Sequence, residues 1–506
     1  MSPCVCPVDS LWNTPGNVVH TPGITLWRPA SNHGLNALTW GFTAYPVWTK
    51  VFSRVSPSTG KRRNRARCPL DGPRTAQPEL CRATLFGSLG GEVHDGGMQI
   101  VSASALASVL AALPENPRIV VSGNAATPLA AIEIIDATLE RYTIHALNAA
   151  PGTAPLRDGV TAETCFVGGG MRRHPGLSYV PARLSLVPRL FHGPLAPDAV
   201  VLHCAPAREG QLSLGIECNI LPAAIEACRA RSGRIIAVIN DHMPYTYGDA
   251  QLPTDIVDVA IEISAPLPEV RPATPDADST RIGELVAARV PDGATLQAGI
   301  GAIPDATIAQ LRGHKNLRIW TETFSDGVLA LDRGGAMDPH QPLTTSFLLG
   351  TRELYDWVDG NHRVRMMRTE RTNDPALIAL QRAMTSINTA LEIDLFGQAN
   401  ASRINARIYS GFGGQTDFIV GALHSPGGAA YMALRSWHPK ADVSTIVPLL
   451  DEPVTSFQQS AVVTEHGVAE LWGYSQQAQA RHLIRDAAHP DVRAELWEEA
   501  AELGLA

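Results

Sequence analysis

The chain has 506 residues, and its 41 lysines and arginines against 49 aspartates and glutamates give a formal net charge of −8. This acidic balance argues against a general nucleic-acid-binding protein. A length near 500 predicts about two to four domains. The 45% hydrophobic and 18% charged residues supply enough apolar surface for buried cores, which excludes a mainly disordered chain. No run of ~18 apolar residues is present that could span a bilayer.

The first 97 residues differ in character from the rest of the chain. They hold 10 basic and 5 acidic residues, a net of +5, whereas the other 409 residues hold 31 and 44, a net of −13. The basic run at residues 61–67 could be a nucleic-acid patch or a targeting segment, but residues 1–12 lack the apolar core of a signal peptide. The four cysteines of this segment do not have a known zinc-ligand spacing. We expect a poorly ordered extension, with Met98 as the natural start.

Short apolar strands are predicted to alternate with helices over residues 98–265. A helical pattern begins at Met98, and a second helix over residues 129–139 has Thr127 as its N-cap and Pro128 as its first residue. The predicted strands are residues 118–122, 200–204, 234–240 and 258–263. Nearly continuous apolar strands between helices predict a parallel sheet that is covered on both faces.

A proline-rich stretch separates this series from a second one. Residues 264–276 contain four prolines and predict an extended linker. The predicted helices after it are residues 280–289, 304–311, 326–332 and most of 477–503, and the predicted strands are 294–300, 317–323, 404–409, 429–434 and 445–449. We therefore predict an α/β protein with two tandem open α/β domains, residues 98–265 and 277–506, joined by a linker at 266–276.

Glu322 is the first candidate for chemistry. It follows a predicted strand and precedes a loop and a helix, in the stretch Trp320–Gly327. Side chains at the carboxyl ends of parallel strands face the crevice in which open α/β folds bind ligands. A glutamate at this place could be a base, a metal ligand or a nucleophile, or simply a surface or capping carboxylate.

Glycine-rich loops follow two other predicted strands. The loop at Gly299, Ile300 and Gly301 leads into a helix and could present backbone N–H groups to an anion, or be a tight turn that merely needs glycine. It lacks the dinucleotide fingerprint, because a proline stands at position 304. The three glycines Gly411, Gly413 and Gly414, just before Gln415, permit close approach of a ligand to the backbone. Asn373, in Asn-Asp-Pro, could donate a hydrogen bond or belong to a turn.

Several common site types are disfavoured by spacing. The histidines at 242, 466 and 489 have no metal-ligand spacing, so we expect no metal site. The cysteines at 165, 204, 218 and 228 are unpaired in pattern and are expected to be buried free thiols. Neither the G-x-S-x-G elbow of serine hydrolases nor a Walker A motif is present.

Residues from about 98 to 506 resemble the acetyl-CoA hydrolase/transferase family, which includes 4-hydroxybutyrate and acetate:succinate CoA-transferases. The resemblance rests on several stretches that follow one another in the family's order. They are residues 122–128, 179–185, 240–248, 297–304, 321–327, 386–392, 411–418, 463–469 and 488–491. The resemblance implies two similar open α/β domains with the active site in the cleft between them. Residues 1–97 have no counterpart in it.

The resemblance also implies roles for individual residues. Glu322 matches the family's catalytic glutamate in an E-x-F-S-D-G motif, which reads Glu-Thr-Phe-Ser-Asp-Gly here. Asn373 and Gly413 match an oxyanion pair. The further residues expected beside the CoA thioester are Gly299, Ile300, Gly301, Gly411, Gly414 and Gln415. Departures at Ala429, where lysine is common, and at His466, where tyrosine is common, indicate that substrate preference differs from the named members.

The implied activity is transfer of CoA between an acyl-CoA and a small carboxylate through a glutamyl-CoA thioester. Candidate carboxylates are acetate, succinate, propionate and 4-hydroxybutyrate. Water admitted to the same site would make the protein an acyl-CoA hydrolase, and a non-catalytic CoA-binding protein is a minor alternative. We expect no permanently bound cofactor, because the CoA thioester is itself a substrate. We also expect a cytoplasmic homodimer that binds neither nucleic acid nor membrane.

Overall fold

The computed structural model describes residues 98–272 and 274–506, so the predicted extension over residues 1–97 lies outside the described residues. The first part of the described chain, up to residue 265, alternates short strands with helices. Its strands are β1 (Gln99–Ile100), β2 (Arg118–Val121), β3 (Tyr142–His145), β4 (Val160–Thr164), β5 (Leu177–Tyr179), β6 (Ala199–Arg208), β7 (Gln211–Ser213), β8 (Arg234–Asn240), β9 (Tyr247–Gly248), β10 (Gln251–Pro253) and β11 (Val259–Ile263). Its helices are α1 (Ala103–Ala111), α2 (Leu129–Thr138), α3 (Val187–Phe191) and α4 (Leu221–Arg229).

The first sheet has the strand order β1-β11-β8-β6-β2-β3-β4-β5, and all of these pairs are parallel. β7 and β10 extend it by antiparallel pairing at the end of β6. Val200, Val201 and Leu202, in the middle of β6, are completely buried. Since successive side chains of a strand point to opposite faces, both faces of the sheet are covered, and this is why its strands are continuous apolar runs.

The second part of the described chain, from residue 277, builds a second sheet. Its strands are β12 (Thr295–Ala298), β13 (Arg318–Trp320), β14 (Thr323–Phe324), β15 (Leu343–Thr345), β16 (Phe347–Leu348), β17 (Val364–Met366), β18 (Thr385–Asn388), β19 (Glu392–Asp394), β20 (Ala399–Asn400), β21 (Arg403–Ile404), β22 (Arg407–Ile408), β23 (Ala429–Ala433), β24 (Trp437–His438), β25 (Val443–Ser444), β26 (Ile446–Val447), β27 (Ala461–Thr464) and β28 (Gly467–Glu470). Its helices are α5 (Ala277–Ala287), α6 (Ala302–Gln310), α7 (Asp326–Arg333), α8 (Arg352–Val358), α9 (Thr369–Thr372), α10 (Pro375–Ala379), α11 (Gln415–His424), α12 (Gln476–His482) and α13 (Arg493–Glu502).

The strand order of the second sheet is β28-β27-β23-β18-β12-β13-β15-β17-β9. Its pairs are parallel except for the β27–β28 hairpin. The expected α/β class with parallel sheets is therefore confirmed. Within the described ranges, 98–272 and 274–506, no helix is both long enough and apolar enough to cross a membrane.

The two sheets are connected by more than the chain. β9 belongs to the first part of the sequence, yet it pairs with β17 at the edge of the second sheet. At Gly248 a Cβ atom would lie 2.4 Å from the carbonyl oxygen of Met366, and the φ of +99° also favours glycine, so this contact requires glycine. One hydrophobic cluster runs from Met98 to Met366 and takes residues from both parts. The predicted domain boundaries at 265 and 277 stay a prediction.

The start of the first part differs from the prediction. The helical pattern predicted from Met98 begins only at Ala103, because Gln99 and Ile100 form a strand against β11. The Ser102 side chain caps this helix by accepting from the amide of Ala105 at 3.3 Å. The periodicity of a short apolar run does not distinguish a strand from a helix. Residues 99 and 100 form a strand because they pair with the open edge of β11.

Two other local predictions are wrong. Thr127 is not an N-cap, because its Oγ1 donates to the carbonyl of Asn124 at 2.9 Å and closes a short 3₁₀ turn. Helix α2 then starts at Leu129 without a side-chain cap. Residues 404–409 are not one strand but the hairpin of β21 and β22, which reverses at Asn405 and Ala406, both with positive φ. Alternating polarity continued through this turn and concealed it.

Candidate active site

Glu322 lies at the carboxyl end of β13, and hydrogen bonds of its own carbonyl and of the neighbouring Thr321 hydroxyl fix its backbone. Its carbonyl oxygen accepts hydrogen bonds from the amides of Ser346 at 2.9 Å and Phe347 at 3.0 Å. The Thr321 hydroxyl beside it is 2.9 Å from the carbonyl of Thr323 and 3.3 Å from that of Ala298. Glu322 is therefore held at the end of a parallel strand, as the sequence predicted, and its position leaves the side chain free to be set by other groups.

The carboxylate of Glu322 is held by Asn373. The Asn373 Nδ2 donates to Oε2 of Glu322 at 2.8 Å, and Asn373 itself is completely buried at the end of α9. Burial raises the pKa of Glu322 to about 7, the hydrogen bond from Asn373 lowers it, and the charge of Asp417 raises it further. The result is a carboxyl group that changes its charge near neutral pH.

Asn373 is oriented by a short chain of hydroxyls. The Thr372 hydroxyl donates to Asn373 Oδ1 at 2.9 Å, and Ser346 Oγ lies 2.6 Å from the same hydroxyl. Ser346 also donates to the carbonyl of Met367 at 2.7 Å. Because Oδ1 is occupied by a donor, the amide nitrogen faces Glu322. This fixes the direction of the Asn373–Glu322 hydrogen bond.

Gly414 closes the other side of this pair. A Cβ atom at this position would lie 1.9 Å from Oε2 of Glu322 and 2.1 Å from Nδ2 of Asn373. Distances this short cannot exist in a packed structure, so no other residue fits without moving one of the two side chains. Gly414 directly precedes helix α11. The glycine that sequence analysis placed beside the site is thus required by Glu322 and Asn373 themselves.

A cavity of about 230 Å³ opens at Glu322. Of the predicted binding residues, Gly299, Ile300, Gly411, Gly413, Gly414 and Gln415 line it, together with Glu322. Ile300 is 40% exposed, which leaves its side chain available for contact. Gly301 does not line the cavity, and its φ of +125° makes it the turn residue before α6. Asn373 reaches the cavity only through Glu322 and Gly414.

The loop at Ser410–Gly414 is held by the first part of the chain. The amide of Leu184 donates to the carbonyl of Gly413 at 2.9 Å, and the amide of Val167 donates to that of Ser410 at 2.8 Å. The ring of Phe166 packs against Gly413, where a Cβ would lie 3.0 Å from the ring edge. The φ of +56° at Gly413 is a left-handed conformation that glycine adopts at no cost. Phe166 itself lines the cavity.

Asp417 makes a second connection between the two parts. It is completely buried in the first turn of α11 and accepts from Ser185 Oγ at 2.9 Å and from the Ser185 amide at 3.1 Å. Arg183 lies 3.5 Å from the same carboxylate. Burial raises the pKa of Asp417 to about 6, while the Ser185 hydrogen bonds and the Arg183 charge lower it. The negative charge of Asp417, which acts on the pKa of Glu322, is therefore held in place by Ser185 and Arg183.

Several polar residues at the Glu322 cavity were not predicted as site residues. Gln297 on β12 and Ser386 on β18 are paired in register and are joined by a 2.6 Å hydrogen bond, and Asn388 completes this group on the cavity wall. These residues could have been found from the sequence, since polar residues in otherwise apolar strands are unusual. Gln415, which was predicted, is oriented by a hydrogen bond of 2.9 Å from its amide nitrogen to the carbonyl of Thr389.

Glu217 is a second buried carboxylate that sequence analysis missed. The Asn124 Nδ2 donates to it at 2.7 Å, and Asn219 contributes a longer contact at 3.4 Å. Burial raises the pKa of Glu217 to about 7, these amides and the Gly123 amide lower it, and the charge of Glu322 raises it. Its partners are the left-handed asparagines Asn124 and Asn219, with φ of +48° and +45°. Local sequence does not predict such a long-range arrangement.

In the part of the chain that the structure describes, no group of three histidine, cysteine, aspartate or glutamate residues could hold a metal ion. The cysteines at 165, 204, 218 and 228 are buried and free, as predicted. Burial raises the pKa of the Cys165 and Cys204 thiols to about 12, so neither is a thiolate near neutral pH. The carboxyl group of Glu322, by contrast, lines the cavity and has a pKa of about 7.

Comparisons with known proteins show which sequences and structures the chain resembles. The sequence profile described as the acetyl-CoA hydrolase/transferase C-terminal domain matches residues 350–500. The 4-hydroxybutyrate coenzyme A transferase of Clostridium kluyveri is 38% identical over 349 residues, which are 66% of this chain and 80% of that protein. The succinyl-CoA:acetate/propanoyl-CoA:succinate CoA transferase of Fasciola hepatica is 34% identical over 410 residues, 76% of this chain and 84% of that one.

A solved structure and a more distant relative complete the comparison. The crystal structure of 4-hydroxybutyrate CoA-transferase from Porphyromonas gingivalis superposes with a TM-score of 0.68 at 32% identity, covering 80% of this chain and 97% of that one. A Saccharomyces cerevisiae protein named acetyl-CoA hydrolase is 32% identical over 263 residues, 47% of this chain and 48% of that one. The extent of these matches identifies the chain as a member of the acetyl-CoA hydrolase/transferase family.

Proposed function

We propose that the chain is a CoA-transferase that moves CoA between an acyl-CoA and a small carboxylate, with Glu322 as nucleophile. The observation that carries the proposal is the fixed position of the Glu322 carboxylate, which faces the cavity between Asn373 and Gly414. A covalent route needs a nucleophile that is held still, and a half-buried carboxylate with one oriented donor meets this need. The relatives named as CoA transferases support the same activity for this chain.

The proposed reaction conserves the thioester bond. The Glu322 carboxylate attacks the thioester carbonyl, the C–S bond breaks, and CoA leaves as a thiolate, so that a mixed anhydride of Glu322 and the acyl group remains. The thiolate then attacks the glutamyl carbonyl and expels the first carboxylate, which leaves a glutamyl-CoA thioester. An incoming carboxylate reverses both steps. No oxidation, metal or permanently bound cofactor is needed, and each developing oxyanion requires hydrogen-bond donors, worth ~2.7–4 kcal/mol each.

Donors for this oxyanion are proposed at two places. The Asn373 amide already donates to the oxygen that would become the bridging or carbonyl oxygen of the intermediate. The backbone at Ile300 and at Gly413 lines the same cavity and is proposed to hold the acyl oxygen. The roles of Gly299, Gly411, Gly414 and Gln415 in binding the CoA thioester belong to the same proposal.

The decisive experiment is to trap the intermediate on Glu322. The protein is incubated with acetyl-CoA, treated with borohydride, and the peptide that contains Glu322 is analysed by mass spectrometry. Reduction at Glu322 in the wild type, and none in Glu322→Ala, is the expected result. A Glu322→Ala protein with full transferase activity would refute the covalent route. Glu353→Ala is a matched control, because Glu353 is an exposed glutamate on α8, outside the cavity.

Hydrolysis of acyl-CoA is the second candidate function. It is supported by the similarity to the Saccharomyces cerevisiae protein named acetyl-CoA hydrolase. Both activities share the glutamyl intermediate and differ only in whether water reaches it. Acetyl-CoA is therefore incubated with and without isotope-labelled acetate, succinate, propionate or 4-hydroxybutyrate, and both free CoA and the CoA thioester of the acceptor are measured. Formation of the acceptor's CoA thioester without release of free CoA supports the transferase, and release of free CoA at a rate that does not depend on the acceptor supports the hydrolase.

The proposal also includes a homodimer in the cytoplasm, acting on small soluble substrates rather than on nucleic acid or membranes. The oligomeric state is tested by size-exclusion chromatography with light scattering. The location is tested by fractionation of cells that express the protein.

A further inference from the structure

A cleft of about 550 Å³ lies on the second sheet and shares no lining residue with the cavity at Glu322. Its walls come from β13, β15, β17 and the loop at residues 339–342, and it ends near Gly248. A concave site of this size is large enough for a small organic ligand. It contains none of the residues proposed to react with or stabilise the acyl group at Glu322.

Three members of a row of side chains that crosses four strands line the cleft, and the fourth, Tyr247, continues the row outside its lining. The register pairs Trp320 with Thr344, Thr344 with Arg365, and Arg365 with Tyr247. Residues paired directly across neighbouring strands project to the same face. The row therefore places a cation between an indole on one side and a phenol ring on the other.

The cleft has one arginine without a carboxylate partner, Arg365, although the chain as a whole is acidic. Three arginines, Arg363, Arg365 and Arg371, line it against one carboxylate, Asp249. Arg363 is paired with Asp332 at 2.6 Å and Arg371 with Asp249 at 3.1 Å. Arg365 is exposed, and its guanidinium makes no hydrogen bond or ion pair with any residue that the structure describes. Its five donors are available to an anion.

Two aromatic side chains, His362 and Trp320, line the same cleft as the free guanidinium of Arg365. The His362 ring stacks on Tyr247, with centroids 4.0 Å apart and planes at 25°, and His362 lines the cleft. The Trp320 indole nitrogen donates to the carbonyl of Thr372 at 2.9 Å, which fixes the orientation of its ring. Fixed aromatic rings bind flat heterocycles by stacking, and free guanidinium groups bind phosphate oxygens in pairs.

We infer that this cleft binds a phosphorylated nucleoside, with the phosphates on Arg365 and the base stacked on His362 or Trp320. Two sources carry this chemistry: a free nucleotide such as ADP, and the adenosine end of a CoA molecule. The inference goes beyond the proposed function and does not depend on it, because binding is measured without turnover.

The test is calorimetric titration of the full chain with ADP. Arg365→Glu is expected to weaken ADP binding at least ~10-fold, because it replaces the free cation by a repelling charge. His362→Ala is expected to weaken binding of ADP but not of tripolyphosphate, which has no base to stack. Arg312→Glu is the matched control, since Arg312 is also exposed and lies on a short turn outside the cleft. Circular dichroism checks the fold of each variant.

Competition with CoA separates the two sources. If CoA displaces ADP, and Arg365→Glu removes the binding of both, the cleft takes the adenosine end of CoA. If ADP binds equally well with CoA present, a free nucleotide is the ligand. The inference is overturned if ADP fails to bind at millimolar concentration, if its binding is unchanged in Arg365→Glu, or if His362→Ala weakens tripolyphosphate as much as ADP.

Discussion

At the scale of single residues, Gly414 is the position whose size most directly limits Glu322. Its φ of −96° is ordinary for any residue, so Gly414→Ala introduces a steric conflict without backbone strain. The new methyl group would meet Oε2 of Glu322 at 1.9 Å and force the carboxylate or Asn373 to move. A displacement of about 1 Å at a reacting group costs on the order of 100-fold in rate. We expect kcat to fall by about that factor in a CoA-transfer assay.

Gly313→Ala serves as the control for this substitution, because a Cβ there meets no atom within 4 Å. We expect Gly313→Ala to keep wild-type activity. Wild-type activity in Gly414→Ala would show that the carboxylate does not need its present position.

The pH dependence of the proposed reaction is expected to follow from Glu322 and Asn373. Only the ionised carboxylate is a nucleophile, and burial raises its pKa to about 7, so kcat/KM is expected to rise with pH and level off above about 7. The Asn373 donor lowers this pKa because it stabilises the charged form. Asn373→Ala is therefore expected to move the midpoint of the pH profile to higher pH, besides lowering the rate. A midpoint that stays in place would mean that another group controls the profile.

The residues of the site were predictable to different degrees. Glu322, Asn373 and the loop glycines were assigned to the candidate site through the family resemblance, because each residue alone also fitted a capping carboxylate or a turn. Gly301 stands in the same motif but serves as a turn, which only its φ of +125° reveals. Glu217 could not be predicted, because its partner Asn124 is 93 residues away and contact at that distance depends on the tertiary fold.

At the scale of secondary-structure elements, helix α11 is fixed to the first part of the chain by Asp417. Asp417→Asn keeps the size of the side chain but replaces one of its two acceptor oxygens by an amide NH₂ group, which cannot accept a hydrogen bond from Ser185. It also removes the negative charge that is paired with Arg183. We expect a loss of about 1–3 kcal/mol in the free energy of unfolding, measured by chemical denaturation. The lost negative charge also lowers the pKa of Glu322, so the pH midpoint of kcat/KM should move down.

The direction of this shift is opposite to the one expected for Asn373→Ala, which makes the pair of variants informative together. Asp278→Asn is the control, because Asp278 occupies the first turn of α5 at an exposed position. Its effect on stability should stay within about 0.5 kcal/mol. Unchanged stability in Asp417→Asn would show that α11 is held by other contacts.

Elements with long apolar runs were predicted well, and short ones were not. The predicted strand at 234–240 coincides with β8, since six of its seven residues are buried and hydrophobicity alone defines it. β1 consists of two residues and exists only because β11 offers an open edge. The hairpin of β21 and β22 depends on two left-handed residues, one of them an alanine, which carries no turn signal.

At the scale of the whole molecule, the two sheets are expected to fold as one cooperative unit. β9 completes the second sheet although it belongs to the first part of the sequence, and one hydrophobic cluster includes residues of both parts. A chain cut at the predicted boundary would expose apolar surface on both fragments. We therefore expect fragment 98–265 alone to bind a hydrophobic dye and to lack a cooperative thermal transition.

The linker provides the matched control for this experiment. A protease site placed at exposed Arg271 allows the folded chain to be cut without removing any contact between the sheets. After cutting, we expect the two pieces to stay associated and to melt in a single calorimetric transition, because the shared cluster and the β9–β17 pairing do not depend on the covalent link. Two separate transitions, or a fragment 98–265 that melts cooperatively alone, would instead establish residues 98–265 and 277–506 as independent domains.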